Sequence, residues 1–114
     1  MDNREIEQVL LSEGYSPRHE TSKVSLFRKG TSNIYLKQAG TDRPLIVHGR
    51  YEPRVAEFEQ IPGVLRQKPA TAAYHNIHMS QFDLRMNRGR TPTRYGYDFG
   101  FETAAALRAF LMRL

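Results

Sequence analysis

Apolar positions at the start of the chain recur at helical spacing. Ile6, Val9 and Leu10 fall at i, i+3 and i+4 on one face, and Asp2 followed by Glu5 has capping-box spacing. Gly14 stands where a left-handed residue would end the helix, with Tyr15 placed to fold back on Leu10 or Leu11. The pattern predicts a helix over 3–13. The period then shortens to two. Residues 23–28 set Val24 and Leu26 against Phe27, and residues 33–37 set Ile34 and Leu36 against Tyr35. Lys29, Gly30, Thr31 and Ser32 between them are turn residues, so the pair predicts a β-hairpin. A second polar turn over 38–44 leads to a short apolar strand, Leu45–His48.

Beyond that strand the pattern is less regular. Residues 54–60 predict a short helix presenting Val55 and Phe58, stopped by Pro62 and Gly63. Val64 and Leu65 open a strand, and 68–73 reads as a loop. Residues 81–86 alternate, with Phe82, Leu84 and Met86 expected on one face and Arg85 on the other, toward solvent. Residues 87–93, with Gly89 and Pro92, predict a surface turn. Over 103–114, Leu107, Phe110, Leu111 and Leu114 make the stripe of a core-facing helix. The expected fold is α+β: helix, three antiparallel strands, short helix, two strands, C-terminal helix. No repeat, low-complexity tract or linker divides the chain, so 1–114 is expected to be a single domain.

Composition narrows the chemistry. With no cysteine among 114 residues, disulfides, thiolate nucleophiles and cysteine-based metal sites are excluded, which suits a reducing compartment. No run approaches the roughly 18 apolar residues of a membrane span, and Met1 to Glu5 lacks a signal-peptide pattern. A cytoplasmic location and no membrane partner are expected. The net charge of +5 is unevenly placed. Residues 1–60 carry nine basic and nine acidic side chains, whereas 61–114 carry eight basic and three acidic. Between Asp83 and Asp98 the charged residues are Arg85, Arg88, Arg90 and Arg94. Such a field favours an anionic partner, either nucleic acid or an acidic protein surface.

Three segments resemble the small bacterial YgaC family. They are the first helix from Ile6 to Gly14 and Tyr15; the Phe27-Arg28-Lys29-Gly30 hairpin with Ile34-Tyr35-Leu36 and Leu45-Ile46-Val47-His48; and Tyr95-Gly96 with Gly100-Phe101 entering a helix through Ala106 and Leu107. The resemblance implies the fold shared with the N-terminal domain of TfoX, similar to that of secretion chaperones, and it implies no activity. The first helix, hairpin and third strand are also similar to the HicA-type ribonuclease toxins. Those use a histidine shortly after the turn glycine, but here Thr31, Ser32 and Asn33 follow Gly30.

The best site candidate is the segment holding Arg85, Arg88, Arg90 and Arg94, with Tyr95 and Tyr97 beside it. Guanidinium groups fork onto phosphates, and aromatic faces stack bases. The bland reading is a solvated loop whose Tyr95, Tyr97, Phe99 and Phe101 cover the core. His75 and His78 are three apart and would share a helical face, but no acid nearby completes a zinc site. Asp98 and Glu102 are expected to cap the last helix. No glycine loop, nucleophile elbow or paired carboxylates point to catalysis or to a cofactor. The expectation is a non-catalytic binding module for an anionic partner, with oligomeric state left open. A ribonuclease using His48 or His78, and a chaperone-like protein-binding domain, are the alternatives.

Overall fold

In the computed structural model, which describes residues 1–86, 89 and 91–114, helix α1 spans Asn3–Ser12. Asp2 Oδ1 accepts from the Glu5 N–H at 2.9 Å and Glu5 Oε1 accepts from the Asp2 N–H at 3.1 Å, closing the capping box. At the other end Gly14 takes φ 93°. Its N–H donates to the Leu11 carbonyl and that of Tyr15 to the Leu10 carbonyl, the paired bonds of a Schellman turn. Tyr15 then turns into the same core as Leu10.

Four strands follow: β1 (Ser16–Glu20), β2 (Val24–Lys29), β3 (Ser32–Lys37) and β4 (Leu45–His48). A 3₁₀ helix, Gly49–Arg54, runs into α2 (Val55–Glu59). Then come β5 (Val64–Leu65), β6 (Tyr74–His75), β7 (Leu84–Met86), β8 (Pro92–Phe101) and α3 (Ala104–Leu111). The fold is α+β, with helix, strands, short helix, strands and C-terminal helix in the order the pattern predicts. It holds more strand than expected. β1 and β6 are additional, and β8 occupies ten residues that the sequence pattern leaves as turn and helix approach.

β8 is the spine of the sheet. All its partners are antiparallel: β4 pairs 45–48 with 96–99, and β7 pairs 84–86 with 92–94. β6 pairs at Gly96 and Tyr95, and β5 at Phe101 and Gly100. The strand order is β1-β2-β3-β4-β8-β5, with β6 and β7 added to β8.

Strand alternation gives the sheet two apolar faces. Phe27, Ile34, Leu36, Leu45, Val47, Tyr97, Phe99 and Phe101 face α1, α2 and α3, where Ile6, Val9, Leu10, Phe58, Leu107 and Phe110 complete the main core. Phe58, Phe99 and Phe110 meet there with ring centres 4.9–5.9 Å apart. Val24, Leu26, Tyr35 and Ile46 face the other way and are covered by Met79 and Phe82. Gly96 makes that cover possible, since a Cβ there would collide with the Val47 carbonyl and meet the Phe82 ring. Among the described residues no helix is long and apolar enough to cross a membrane.

The main core yields a direct check. Leu107 is fully buried, so Leu107→Ala is expected to cost about 2–5 kcal/mol of unfolding free energy. Chemical denaturation reads this as a lower midpoint; an unchanged midpoint would contradict the docking of α3.

Candidate functional site

The arginine segment lies on the β7–β8 ladder, where Leu84 pairs with Arg94 and Arg85 with Thr93. Arg85 lies on the main-core face. Its guanidinium sits 4.3 Å from the Tyr95 ring centre, and Nη1 is 3.5 Å from the Tyr97 hydroxyl. Arg94 lies on the opposite face, donating from Nη1 to the Phe82 carbonyl at 2.8 Å. Arg85 and Arg94 therefore do not converge on one face, which for these two is the arrangement of the bland, solvated reading. Arg88 and Arg90 lie outside the described residues. Neither Arg85 nor Arg94 makes an ion pair with a carboxylate among the described residues.

The expected stripe of Phe82, Leu84 and Met86 is also corrected. Phe82 is buried in the second core, but the strand begins only at Leu84, so alternation does not run back through Phe82. Leu84 and Met86 are 48% and 56% exposed, while Arg85, expected in solvent, is half-buried on the tyrosine rings. Tyr97 is buried and Tyr95 packs against the main core, over Gly49, where a Cβ would strike the Tyr95 ring. Burial first, then the charge of Glu52, raises the Tyr97 hydroxyl pKa, and the Arg85 hydrogen bond partly opposes them.

The histidines do not come together. His48 Nδ1 accepts from the Arg50 N–H at 2.9 Å, and Nε2 lies 3.6 Å from Asp83 Oδ2. Nδ1 thus spends its lone pair on a backbone N–H, while the Nε2–Asp83 separation is beyond hydrogen-bond reach. His75 pairs with Tyr95 in the β6–β8 ladder, with Nε2 buried and without a hydrogen-bond partner. Burial, then the charges of Arg85 and Lys68, hold its pKa below the ordinary imidazole value. His78 is exposed. Among the described residues no three His, Cys, Asp or Glu side chains group closely enough to hold a metal ion.

The densest polar constellation surrounds Asp98, which is 1% exposed and sits on the second face of β8. Its carboxylate meets Lys37 Nζ at 2.8 Å, Lys68 Nζ at 2.5 Å, Arg66 Nη1 at 3.1 Å and Arg43 Nε at 3.6 Å. Asp98 does not cap α3, as its place before the helix suggested; Thr103 does, with Oγ1 accepting from the Ala106 N–H at 3.1 Å. Arg66 is equally buried. Nη1 also donates to the Asp98 carbonyl at 2.8 Å, Nη2 donates to the Pro69 and Ala72 carbonyls, and Nε lies 3.5 Å from Glu59 Oε1. The rings of Tyr97 and Phe99 flank the guanidinium. Only a planar fork reaches so many acceptors at once, so lysine is no substitute. Burial alone would raise the Asp98 pKa, but the hydrogen bonds and charges of Lys37 and Lys68 outweigh it and hold the carboxyl below its ordinary value. A signal was present in the sequence: Asp98 is the sole acid between Asp83 and Glu102, and it alternates with aromatic residues.

The chain matches no protein-family model and has no significant match among curated proteins.

Removing the central carboxylate strands several cations together. Asp98→Asn is expected to destabilise the fold by about 3–5 kcal/mol, as breaking buried pairs does. The folded pKa lies below the unfolded value of about 3.9, so the unfolded state binds the extra proton near that pH. The contribution is thus fully present above the unfolded pKa and is lost as pH falls through the folded one. Denaturation midpoints measured from pH 7 down to pH 3 should decline in the wild type and decline less in Asp98→Asn. Parallel curves would show that Asp98 does not carry this dependence.

Proposed function

We propose that the protein is a cytoplasmic, non-catalytic binding module whose β7–β8 arm engages an anionic partner, with nucleic acid favoured over an acidic protein surface. The observation that carries this reading is the state of Arg85 and Arg94, whose partners are a ring, a phenol and a carbonyl, all neutral. Their charge stays available to a ligand, unlike that of a paired arginine. Arg88 and Arg90 add to it in the sequence, and no acid falls between Asp83 and Asp98. A two-stranded ribbon with arginines on both faces suits a groove walled by phosphates better than a flat acidic patch, and the major groove admits such a ribbon. The resemblance to the YgaC family is compatible with this and adds no activity. The ribonuclease alternative is weakened by His48, whose Nδ1 is occupied by the Arg50 N–H. Exposed Leu84 and Met86 are what favours a chaperone-like reading.

Binding to a fluorescent DNA duplex and to single-stranded RNA, followed by anisotropy across a salt series, tests the proposal. Affinity should fall linearly on logarithmic axes with rising salt, by a slope of roughly one per phosphate contact. The double substitution Arg88→Glu with Arg90→Glu should weaken binding at least about tenfold and flatten the slope by roughly two. Its melting temperature should stay near that of the wild type. Salt-independent binding, or an unchanged double variant, would reject the arm; cleaved RNA would revive the ribonuclease reading.

A further inference from the structure

The second apolar face of the sheet runs on past its cover. Met79 and Phe82 close it over Val24, Leu26, Tyr35 and Ile46. Directly paired residues of antiparallel strands share a face, so Leu84 with Arg94, and Met86 with Pro92, continue that face along the β7–β8 arm. There it is bare. Leu84 is 48% exposed, Met86 is 56% exposed, and Pro92 is exposed opposite Met86. Among the described residues neither Leu84 nor Met86 joins the main core or the second one. A ribbon with water on both sides has no structural use for apolar side chains, which on an exposed strand invite unwanted pairing.

The bare face also carries charge. Arg94 stands on it, with Nη1 donating to the Phe82 carbonyl at 2.8 Å, so its guanidinium lies where the cover stops. Among the described residues Arg94 meets no carboxylate. Asp83, the nearest acid in the chain, turns toward His48, with Oδ2 3.6 Å from Nε2. Positive charge beside these apolar side chains opposes a second copy of the arm, whose own arginines would face it. Retention on a membrane or an unfolded chain grows with the apolar area covered, and two half-covered side chains with a proline supply little. A gap between stacked bases makes a smaller demand. It takes one or two apolar side chains, it is flanked by phosphates, and the side chains that fill such gaps include leucine, methionine and proline.

We propose that Leu84 and Met86 form a wedge that enters an opened base step of a nucleic-acid duplex, with Arg94 on the same face placed for the adjoining phosphate. This role presupposes that the arm binds nucleic acid, and it adds what the arm selects: a duplex that is kinked or poorly stacked, in preference to a straight one. Opening a step costs least at a mismatch or at a flexible pyrimidine–purine step. Selection is then by deformability and not by hydrogen bonds to base edges, for which Leu84 and Met86 have no donors.

Anisotropy with a short, fully paired DNA duplex and with the same duplex carrying a central mismatch tests this, while a fluorescent adenine analogue at the central step reports unstacking. The wild type should bind the mismatched duplex at least about tenfold more tightly and should raise the emission of the analogue in the paired duplex at saturation. Leu84→Thr with Met86→Thr keeps strand propensity and charge; it should lose both effects and retain the salt slope. Met86→Leu should keep both. A wild type that binds with that salt slope but treats the two duplexes alike and leaves the emission unchanged overturns the wedge and leaves the phosphate-binding arm standing. Absence of salt-dependent binding to either duplex defeats the arm and the wedge together. A double variant that behaves as the wild type also overturns the wedge; should it fail to fold, the wild-type preference and emission decide, with Met86→Thr as the second variant. Vesicles of phosphatidylcholine and phosphatidylserine complete the test. Binding to them that the double variant abolishes, with no preference for the mismatched duplex, assigns the face to lipid and overturns the wedge.

Discussion

The fold turns on how the backbone of β8 is satisfied at Asp98. A central strand needs partners along both edges, yet on one edge β5 reaches only Gly100 and Phe101, and β6 only Tyr95 and Gly96. The Asp98 carbonyl falls in the gap between them, and Arg66 fills it with a guanidinium N–H. A buried carbonyl left unpaired costs on the order of 1–3 kcal/mol. The same guanidinium takes the Pro69 and Ala72 carbonyls, which gives a loop without strand partners of its own somewhere to put its polar groups. Once that loop is pinned, Tyr74 and His75 can join β8 as a strand. Met79 and Phe82 follow and cover the second face.

That second cover explains why so small a chain can sustain a sheet with two apolar faces. The helices bury one face with a large aromatic core. The other is closed by a segment with almost no regular structure, which works only because it lies close. Gly96 permits the approach, and the Tyr35 hydroxyl accepts the Gln81 N–H at 3.0 Å, so that donor is not orphaned by the burial. The outer edge is guarded differently. β1 carries Pro17 and a register shift between Pro17 and His19, both of which blunt pairing with another chain.

What was legible in the sequence is what is local. The capping box at Asp2 and Glu5, the turn at Gly14, the hairpin faces of Val24, Leu26 and Phe27, and the stripe of α3 all follow from spacing within a turn or a strand pair. β8 escaped because Pro92 read as a turn residue, and Gly96 and Gly100 as part of the entry into the last helix. Their real roles are to begin a strand and to admit neighbours at close range, which are tertiary facts. Arg66 and Asp98 escaped for a related reason. They are 32 residues apart, and Asp98 beside a helix start reads locally as a cap. Arg85 went astray because alternation was extended through Phe82, which belongs to the preceding bend. The candidate site was thus legible in composition but not in direction.

Charge read from composition also overstates the free field. Of the basic residues in 61–114, Arg66 and Lys68 are engaged by Asp98, Arg108 lies 3.1 Å from Glu13, and Arg113 lies 3.2 Å from Glu57. Exposed pairs of the latter kind add little to stability, but they do cancel charge at a distance. Arg85 and Arg94 are left as the described cations of that half without a carboxylate partner, and both stand on the β7–β8 ladder. The basic excess is therefore not spread over the surface. It is drawn into the arm, where Arg88 and Arg90 also fall in the sequence, and into the cluster around Asp98. Screening over about 8–10 Å at moderate salt separates these two concentrations of charge from the exposed pairs elsewhere.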